Sequence, residues 1–552
     1  MLKKLMSLLF GIAIVAPAYS LNQIIIKFKP TEEQKAQLSS NQISQVELNA
    51  QLMQPLTNEK IQLINNLANA KFFERSAIAT GAHVIDTDQD LSPSDLNNIV
   101  AKLQNLPNVE YVEVSKFYTK NSDIPEYGAF QWDMSQTTKG ENAGLNNNVT
   151  PLVYGDNFQG LLAYWRTIFT GISNVNPGAL TRVGVIDTGY TNHPNFITRL
   201  MPTDIKQTVV AYGYDFISDC RIGGSCPTST SSSQAIKSPA PNGLDLGDYL
   251  TQDMINASQG FFRYCPVSNN SSWHGTHVTG TIVGTRYSSR PEHVLGGAFG
   301  SMVEPIRALG KCGGTTQDIA NAIMWAANLH PKFINLYPVD VINMSLGGGG
   351  VCSGAMADAI AQVTKANPKI IFVIAAGNSG ADVKNFTPAN CPKVISVAAA
   401  SPVNNLSWYS NFGNTTITAT GGDQNPYSVT SDNIQYVYKS GVYSSLWGSK
   451  QEYNSTDKPT WGYYNGTSMA APHVAALVAD IISYVRNAPN IYNRDWDFNK
   501  ISNILQSSAR NDYIKCNNTG FFAKKYNIGG CVNTGTIDAE SALKLTQKIF
   551  KD

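Results

Sequence analysis

The segment YNGTSMAAPHVAALVADII, residues 464–482, sets a single serine, Ser468, among small residues at the start of a long apolar helical pattern. Serine and threonine are common N-caps, so Ser468 or Thr467 could simply begin a buried helix whose small residues allow close packing. Alternatively, Ser468 is a nucleophile at a helix N-terminus, where backbone N–H groups and the helix dipole stabilise negative charge. The second interpretation requires a base and an acid elsewhere in the chain.

The first twenty residues predict export. Two lysines at 3–4 precede an apolar run over 5–15 and a stretch of small residues over 16–20. This is the pattern of a secretory signal peptide, with cleavage expected after Ala18 or Ser20. No later apolar run is expected to span a bilayer. We therefore predict a secreted product, and leave open whether it is retained in a periplasm or at a cell surface.

The charge balance restricts the classes of partner, and the number of cysteines predicts disulfides. Lys and Arg number 41 against 40 Asp and Glu, which predicts neither nucleic acid nor an anionic membrane as a partner. All eight cysteines lie beyond residue 200, and an even number in an exported chain predicts disulfides. Proximity favours Cys352–Cys391 and Cys516–Cys531. The remaining four would pair among themselves: Cys220, Cys226, Cys265 and Cys312.

Residues 21–120 are predicted to form a small ferredoxin-like α+β domain with the order β-α-β-β-α-β. QIIIKFK at 23–29 indicates a strand, SPSD at 92–95 begins a helix, and NVEYVEVSKFY at 108–118 alternates like a half-buried strand. This part has no cysteine, which suits a segment whose long-term stability does not matter. The polar, proline-containing stretch at 119–132 is suited to cleavage. We therefore interpret 21–120 as a removable pro-segment.

Residues 121–552 have an α/β pattern. Short apolar runs alternate with two helical patterns, 318–330 and 354–367, and this alternation predicts a mostly parallel sheet covered by helices on both faces. Two polar inserts, 218–272 and 421–463, are predicted to be surface loops. The predicted strands are 182–189, 301–309, 339–346, 369–377 and 393–399.

Four residues of this region fall where a parallel sheet places its active site, beyond the carboxyl ends of the strands. Asp187 and Asn378 each close a predicted strand, while His274 and Ser468 each begin a small-residue helix. Each residue alone has a structural explanation, as a turn residue, a cap or a buried histidine. Together they supply an acid, an imidazole, an amide donor and a hydroxyl, the set that nucleophilic catalysis requires. The other histidines are interpreted as structural, including His193, His277 and His473.

Five ordered blocks of sequence resemble the signature blocks of the subtilisin-like serine peptidases, in content and in the order Asp, His, Asn, Ser. The resemblance spans roughly 180–545 and is closest to the disulfide-containing secreted bacterial branch, while 21–118 is similar to the inhibitory pro-segment of the family. The marks of other hydrolase classes, GxSxG and HExxH, are absent. The five blocks are VGVIDTG (183–189), HGTHVTGTIVG (274–284), INMSLGGG (342–349), VIAAGNS (373–379) and NGTSMAAPHVAA (465–476).

The resemblance implies a role for each residue. Ser468 would be the nucleophile, His274 the general base and then acid, and Asp187 the residue that orients the imidazole. Asn378 and the backbone N–H of Ser468 would bind the oxyanion. Backbone groups of the cleft would pair with an extended peptide as an added strand. The cleft residues implied are Ser345, Leu346, Gly347, Ala376 and Gly377.

The resemblance implies no cofactor for catalysis, but family members often bind structural calcium. Several acids lie in or beside the 218–272 insert, yet their spacing matches no calcium loop, so no metal ligand is assigned. The insert also makes the separation between Asp187 and His274 long for the family, which leaves substrate preference open. Departures from the family pattern are Ala476 in place of a common glycine and the absence of a frequent proline at 297–300. The acids are Asp215, Asp219, Asp245, Asp248 and Asp253.

Two other functions remain to be weighed. A catalytically inactive binding protein of the same fold is expected to lose at least one of the four site residues, and all four are present. An esterase or lipase would use the same chemistry but requires a GxSxG elbow. We therefore predict a secreted serine endopeptidase that acts on proteins or peptides. It is expected to be an autoprocessed zymogen that its own pro-segment inhibits.

Overall fold

The computed structural model describes most of the 552-residue chain. Residues 1–19 of the predicted signal peptide and 121–130 of the predicted junction lie outside the described residues, so both remain predictions. The described ranges are 20–89, 91–120, 131–134, 138–139, 152–153, 155–169, 175–201, 212–226, 235, 237, 239–285, 294–402, 405–423, 429–431, 434–436, 441–488, 491, 493–511, 516 and 530–551.

The N-terminal domain is an antiparallel sheet covered by helices. Its strands are β1 Ser20–Phe28, β2 Phe73–Ala77, β3 His83–Asp86 and β4 Val109–Lys120, in the spatial order β4-β1-β3-β2. Its helices are α1 Glu32–Ser39, α2 Gln45–Leu52, α3 Asn58–Ala68 and α4 Pro93–Gln104. The elements follow the predicted order, with three short helices where one was expected. Capping boxes begin three of the four helices, at Thr31, Ser44 and Ser92.

Strand β1 has two apolar faces. Ile24 and Ile26 are buried against the helices of the N-terminal domain. Ile25 points the other way, because successive side chains of a strand alternate, and it lies in a second core that contains Ile319 and Met356. The N-terminal sheet is therefore packed between its own helices and the rest of the protein.

The predicted parallel sheet is confirmed. Seven strands pair in parallel, in the order β16-β15-β13-β11-β7-β9-β8. They are β7 Arg182–Asp187, β8 Tyr214–Asp215, β9 Met302–Arg307, β11 Val341–Met344, β13 Ile371–Ala375, β15 Val394–Ala400 and β16 Ile417–Thr420. The other strands are β5 Thr138–Lys139, β6 Leu152–Val153, β10 Gly314–Thr315, β12 Leu346–Gly349, β14 Phe386–Thr387, β17 Val429–Ser431, β18 Ile434–Tyr436, β19 Val442–Trp447 and β20 Pro459–Tyr464.

Helices cover both faces of this sheet. On strand β13, Ile371 and Val373 pack in one core with α8 and α11, while Phe372 and Ile374 pack in the other with α9 and α10. This is the continuous apolar pattern expected of strands that are buried on both sides. The helices are α5 Phe158–Ile168, α6 Cys220–Gly223, α7 Gln252–Ala257, α8 His274–Val283, α9 Thr316–Ala326, α10 Gly354–Ala366, α11 Thr467–Asn487, α12 Phe498–Ser508 and α13 Ala539–Lys551.

Helix α11 is the central helix. Its 21 residues are long and apolar enough to cross a membrane, contrary to the expectation that no later run would approach that length. The apolar part is entirely buried inside the protein, against the parallel sheet and α8. Its hydrophobicity is therefore explained by its place in the core.

The prediction that both polar inserts are surface loops was wrong in part. Within 218–272, the side chains of Ile222, Leu250 and Phe262 are buried. Within 421–463, strands β19 and β20 form a hairpin, and all six residues of β19 are buried. These apolar residues are scattered among Ser, Asn and Gly without a helical or strand period, so the sequence pattern did not reveal their burial.

All eight cysteines form disulfides. Cys352–Cys391 and Cys516–Cys531 are present, so both predicted pairs are confirmed. The other four cysteines pair among themselves as expected, as Cys220–Cys226 and Cys265–Cys312.

Removing the disulfide between Cys352 and Cys391 by replacing both with serine should lower the free energy of unfolding by about 2–5 kcal/mol. The bond joins residues separated by 39 positions, so it restricts the unfolded chain strongly. The measurement is urea unfolding of the oxidised variant. The matched control removes Cys220 and Cys226, which are separated by only six positions, and it should cost less. An equal or larger loss in the control would contradict the chain-entropy explanation.

Candidate active site

Asp187 and His274 form a buried pair at the carboxyl edge of the parallel sheet. Asp187 ends β7, His274 begins α8, and His274 Nδ1 lies 2.7 Å from Asp187 Oδ1. The backbone N–H of Thr188 donates to the same carboxylate oxygen at 2.7 Å, and both side chains are fully buried. An imidazole whose Nδ1–H donates to a carboxylate keeps a lone pair on Nε2. Within the described residues Nε2 of His274 has no hydrogen-bond partner, so it is placed to accept a proton.

A second set of contacts joins the residues that follow β7 to the first turn of α8. The N–H of Gly275 donates to Thr188 Oγ1 at 3.0 Å, and Thr188 Oγ1 donates to Asp245 Oδ2 at 2.5 Å. A Cβ on Gly275 would lie 2.2 Å from the carbonyl oxygen of Gly189, so only glycine permits this close approach. Burial, together with the nearby carboxylate of Asp248, raises the pKa of Asp245 to about 7. Sequence reasoning missed the role of Thr188 and Asp245, because the link between them spans 57 positions.

Ser468 lies at the N-terminus of α11 and exchanges two hydrogen bonds with Ser345. Its hydroxyl donates to the carbonyl of Ser345 at 2.7 Å, and the Ser345 hydroxyl donates to the carbonyl of Ser468 at 2.8 Å. The second bond has a local cause. Pro472, four residues further along the helix, has no N–H to donate to the Ser468 carbonyl. Ser345 satisfies that carbonyl and thereby anchors the first turn of α11 to β12.

The side-chain amide of Asn378 is oriented by Thr467. The backbone N–H and the hydroxyl of Thr467 both donate to Asn378 Oδ1, at 2.9 and 2.8 Å. Thr467 Oγ1 also accepts from the N–H of Gly377 at 3.0 Å. Because Oδ1 is held by Thr467, the amide nitrogen of Asn378 is turned away from that residue. Thr467, which the sequence suggested only as a helix cap, is therefore a positioning residue for Asn378.

Strand β4 of the N-terminal domain lies between β10 and β12. Thr119 and Lys120 pair antiparallel with Gly347 and Leu346 of β12. On the N-terminal side of these two residues, Tyr118 and Phe117 pair antiparallel with Gly314 and Thr315 of β10. Two of the predicted cleft residues, Leu346 and Gly347, thus bind an extended chain through their backbone, while the contribution of β10 was not foreseen.

Ala376 and Gly377 behave differently from the cleft residues in β12. The N–H of Ala376 donates to Val397, and its carbonyl accepts from the side chain of Asn411. The N–H and carbonyl of Gly377 bond to Thr467 and to the backbone N–H of Asn411. These backbone groups are used inside the domain. Ala376 and Gly377 can line the cleft, but the expected strand pairing with a peptide does not come from them.

Four of the five acids in or beside the 218–272 insert, to which no metal was assigned, bond to other residues of the protein. Asp215 pairs with Arg307 at 2.9 Å and with Lys237 at 2.7 Å, and Asp219 pairs with Arg221. Of the other three acids, Asp245 bonds to Thr188, Asp248 bonds to Ser272, and Asp253 lies in the first turn of α7. Among the described residues no group of three or more His, Cys, Asp or Glu is placed to hold a metal ion. No metal ligand is therefore assigned among these acids.

Each histidine interpreted as structural has contacts of its own, although His277 lies only three residues after His274 on α8. His193 and His277 contact backbone carbonyls, and burial lowers the pKa of His277 to about 3, so that it is neutral. His473 lies 3.0 Å from a carboxylate oxygen of Asp133. Burial opposes the charge of His473, but Asp133 and Asp156 outweigh this and raise its pKa. This buried ion pair ties residues 131–134 to α11.

The model of the subtilase family matches residues 178–527, and this chain belongs to the subtilase family of serine peptidases. It is 33% identical over 418 residues to an extracellular protease of Xanthomonas campestris pv. campestris, covering 74% of this chain and 58% of that protein. It is 29% identical to an extracellular basic protease of Dichelobacter nodosus, covering 85% of this chain and 64% of that protein. The chain therefore spans about three fifths of the length of these relatives.

Solved structures agree with the family. A protease from Pseudoalteromonas arctica PAMC 21717 superposes with a TM-score of 0.52 at 30% identity, covering 71% of this chain and 94% of that chain. Fervidolysin from Fervidobacterium pennivorans superposes with a TM-score of 0.54 at 18% identity, covering 95% and 61% of the two chains. The second likeness concerns the fold alone.

Subtilases need no cofactor for catalysis.

Proposed function

We propose that this protein is a secreted serine endopeptidase that hydrolyses peptide bonds in proteins and is made as an autoprocessed zymogen. The observation that carries the proposal is the buried contact of 2.7 Å between His274 Nδ1 and Asp187 Oδ1. It leaves Nε2 as a base on the same edge of the sheet as Ser468 and Asn378. The names of the relatives, which are extracellular proteases, and the signal-peptide pattern support secretion.

The proposed mechanism begins with the hydroxyl of Ser468. It exchanges its bond to the Ser345 carbonyl for one to His274 Nε2, which takes the proton as Oγ attacks the peptide carbonyl. The negative oxygen that forms is stabilised by the amide N–H of Asn378 and the backbone N–H of Ser468. Asp187 stabilises the protonated imidazole, which then gives its proton to the leaving amine. Water then attacks the carbonyl of the acyl-enzyme as His274 Nε2 takes its proton. The bond to Ser468 Oγ breaks, the imidazole returns the proton to Oγ, and the acid product is released.

The contacts of the N-terminal domain support its role as an inhibitor. Arg75 of this domain pairs with Asp219 at 3.0 Å, and both side chains are buried. The carboxylate of Glu113 accepts from the N–H of Ala355, at the N-terminus of α10, where negative charge is favoured. Together with the pairing of β4 in the cleft, these contacts would hold the domain over the site until the chain is cut.

Purified full-length protein should cut itself within residues 118–125 and accumulate a product that begins there, because β4 leads along the cleft toward Ser468. N-terminal sequencing of the product measures this. The Ser468→Ala variant is the control and should retain the N-terminal domain. An active enzyme that still begins at residue 21 would contradict the proposed processing but not the proposed catalytic residues.

The released segment, residues 21–120, should inhibit the mature enzyme competitively in peptide hydrolysis. A matched fragment that ends at Lys116 lacks the four residues that pair with β10 and β12, and should inhibit far less. Equal inhibition by the two fragments would mean that β4 does not block the cleft.

The proposed activity itself is tested with the mature enzyme on a mixed peptide library and with a fluorophosphonate that labels activated serines. Cleavage of peptides together with labelling at Ser468 is expected. If the intact, folded protein neither cleaves nor becomes labelled, the chain is an inactive binding protein of the same fold.

A further inference from the structure

Strand β4 carries two neighbouring aromatic residues, Phe117 and Tyr118, which enter different cores. Both are almost fully buried, at 4% and 2% exposed. Successive side chains of a strand point to opposite faces. Tyr118 joins the core that contains Leu346 and Ile319. Phe117 joins a separate, smaller cluster, in which it is the only described residue of the N-terminal domain.

The other fully buried members of this small cluster come from the long insert that separates Asp187 from His274, or from the residue just before it. Its fully buried residues are Ile217, Ile222, Leu250 and Phe262, each no more than 1% exposed. We call these four residues the insert pocket. None of them lies in the parallel sheet, so the pocket is built by the insert itself.

Bonds within the peptidase domain hold the insert pocket in place. The disulfide Cys265–Cys312 ties the insert to the chain just before β10. The N–H of Lys311 donates to the carbonyl of Ile222 at 2.8 Å. The guanidinium of Arg221 lies 3.6 Å from the ring centre of Phe261, which borders the pocket. None of these bonds involves β4. Asp219, which caps α6, loses its pair with Arg75 when the N-terminal domain leaves but keeps its pair with Arg221, so we expect the walls to persist.

We propose that the insert pocket is a binding site for a side chain of the substrate, and that the peptidase selects peptides with a large apolar residue, above all an aromatic one, at the position that Phe117 occupies. The inference rests on the proposed function. A peptide that pairs with β10 and β12 in the register of β4 places one side chain opposite Thr315, as Phe117 is placed. Burial of that side chain in an apolar pocket favours Phe, Tyr, Leu or Met and disfavours a charged residue.

The register also separates this site from the residue next to the scissile bond. Lys120, three positions after Phe117, pairs with Leu346, which precedes Gly347 and follows the Ser345 that contacts Ser468. The selected residue therefore lies several positions before the bond that is cut, in the part of the peptide held by β10. Selection of the side chain at the position of Phe117 is therefore compatible with any preference for the residue next to the scissile bond.

The first test uses the mature enzyme and a peptide with the sequence of residues 112–126, VEVSKFYTKNSDIPE. Replacing Phe117 in the peptide by alanine should lower kcat/KM by roughly 10- to 100-fold, and replacing it by aspartate should lower it further. Replacing it by leucine should have a small effect. The control replaces the preceding residue, Lys116, by alanine, and should change kcat/KM by less than about threefold.

The second test changes the pocket. Leu250→Ala should reduce the ratio of kcat/KM for the Phe and Ala peptides to roughly a tenth of its original value. Leu406→Ala removes the same atoms from a buried site in a separate cluster, and should leave the ratio unchanged. Because both peptides are measured with the same enzyme preparation, the ratio of their kcat/KM values does not depend on the fraction of that enzyme that is folded. If Leu250→Ala gives no folded enzyme, Ile222→Val replaces it, with a smaller fall expected.

The outcomes separate the two proposals. If the mature enzyme cleaves the Phe and Ala peptides equally well, or if Leu250→Ala and Leu406→Ala keep the same ratio, the insert pocket does not select the substrate and the proposed function stands. If no peptide is cleaved and no fluorophosphonate is bound, the proposed function fails and this inference fails with it.

Discussion

Replacing Ser468 by alanine should lower kcat for peptide hydrolysis by on the order of 10⁶ and abolish fluorophosphonate labelling. The reason is chemical: alanine has no hydroxyl to attack the peptide carbonyl, and the neighbouring hydroxyl of Thr467 is bonded to Asn378. KM should change little, because Ser468 contributes to the reacting atoms rather than to strand pairing with β10 and β12.

The experiment must separate loss of chemistry from retention of the inhibitory domain. Ser468→Ala is expected not to process itself, so its N-terminal domain is first removed by immobilised wild-type enzyme, which is then taken away. The matched control is Ser483→Ala on the same helix. Ser483 is also buried, and its hydroxyl donates to the backbone carbonyl of Ala179. The control should lose stability but remain active and labelled. Substantial hydrolysis by the processed Ser468→Ala variant would end the assignment.

Replacing Asp187 by asparagine should lower kcat by about 10⁴. The carboxylate accepts from both the Nδ1–H of His274 and the N–H of Thr188. Both N–H groups donate to Oδ1, so an asparagine that keeps its carbonyl oxygen in that place still accepts from them. It has no negative charge, however, to stabilise the protonated imidazole that forms when His274 takes the proton of Ser468.

The matched control for this variant is Asp245→Asn. Asp245 is equally buried and bonds to Thr188, but it does not contact His274 in the contacts described. Burial raises the pKa of Asp245, and an amide oxygen in its place can still accept from Thr188 Oγ1 and from the N–H of Gly247, so an amide is a close substitute. We expect less than a tenfold fall in kcat, on the scale of a positioning effect. Equal losses in the two variants would mean that Asp187 acts only by holding the chain in place.

The parallel sheet could be predicted because its signals are local. Each buried strand is a short apolar run, and the predicted run 182–189 contains β7 Arg182–Asp187. The candidate site followed from the same logic. Asp187 and Asn378 come at the ends of predicted strands, and His274 and Ser468 at the starts of helices, so the topology of a parallel sheet sends them to one edge.

The contacts between these residues were not predictable from local patterns. Thr467 is adjacent to Ser468 in the chain, yet its role depends on Asn378, 89 positions away. Ser345 and Ser468, which bond to each other twice, are 123 positions apart. No period or spacing in the sequence encodes such pairs, because they depend on how the helices and strands pack.

The insert between Asp187 and His274 shows most clearly which features the local sequence predicts and which depend on contacts between distant residues. Its composition, rich in Ser, Pro, Asn and Gly, predicted a surface loop, which was wrong in part, while the even number of cysteines in the chain correctly predicted disulfides. The sequence by itself thus determined where the apolar runs that form strands lie along the chain, the candidate catalytic residues and the cysteine count. Only the tertiary structure decided that Phe117 enters a pocket made by Leu250 and Phe262. Isolated apolar residues in a polar loop form a pocket only when the fold brings them together. The hydrophobic effect depends on the apolar area removed from water and not on any spacing of residues, so the sequence carries no local pattern for such a pocket.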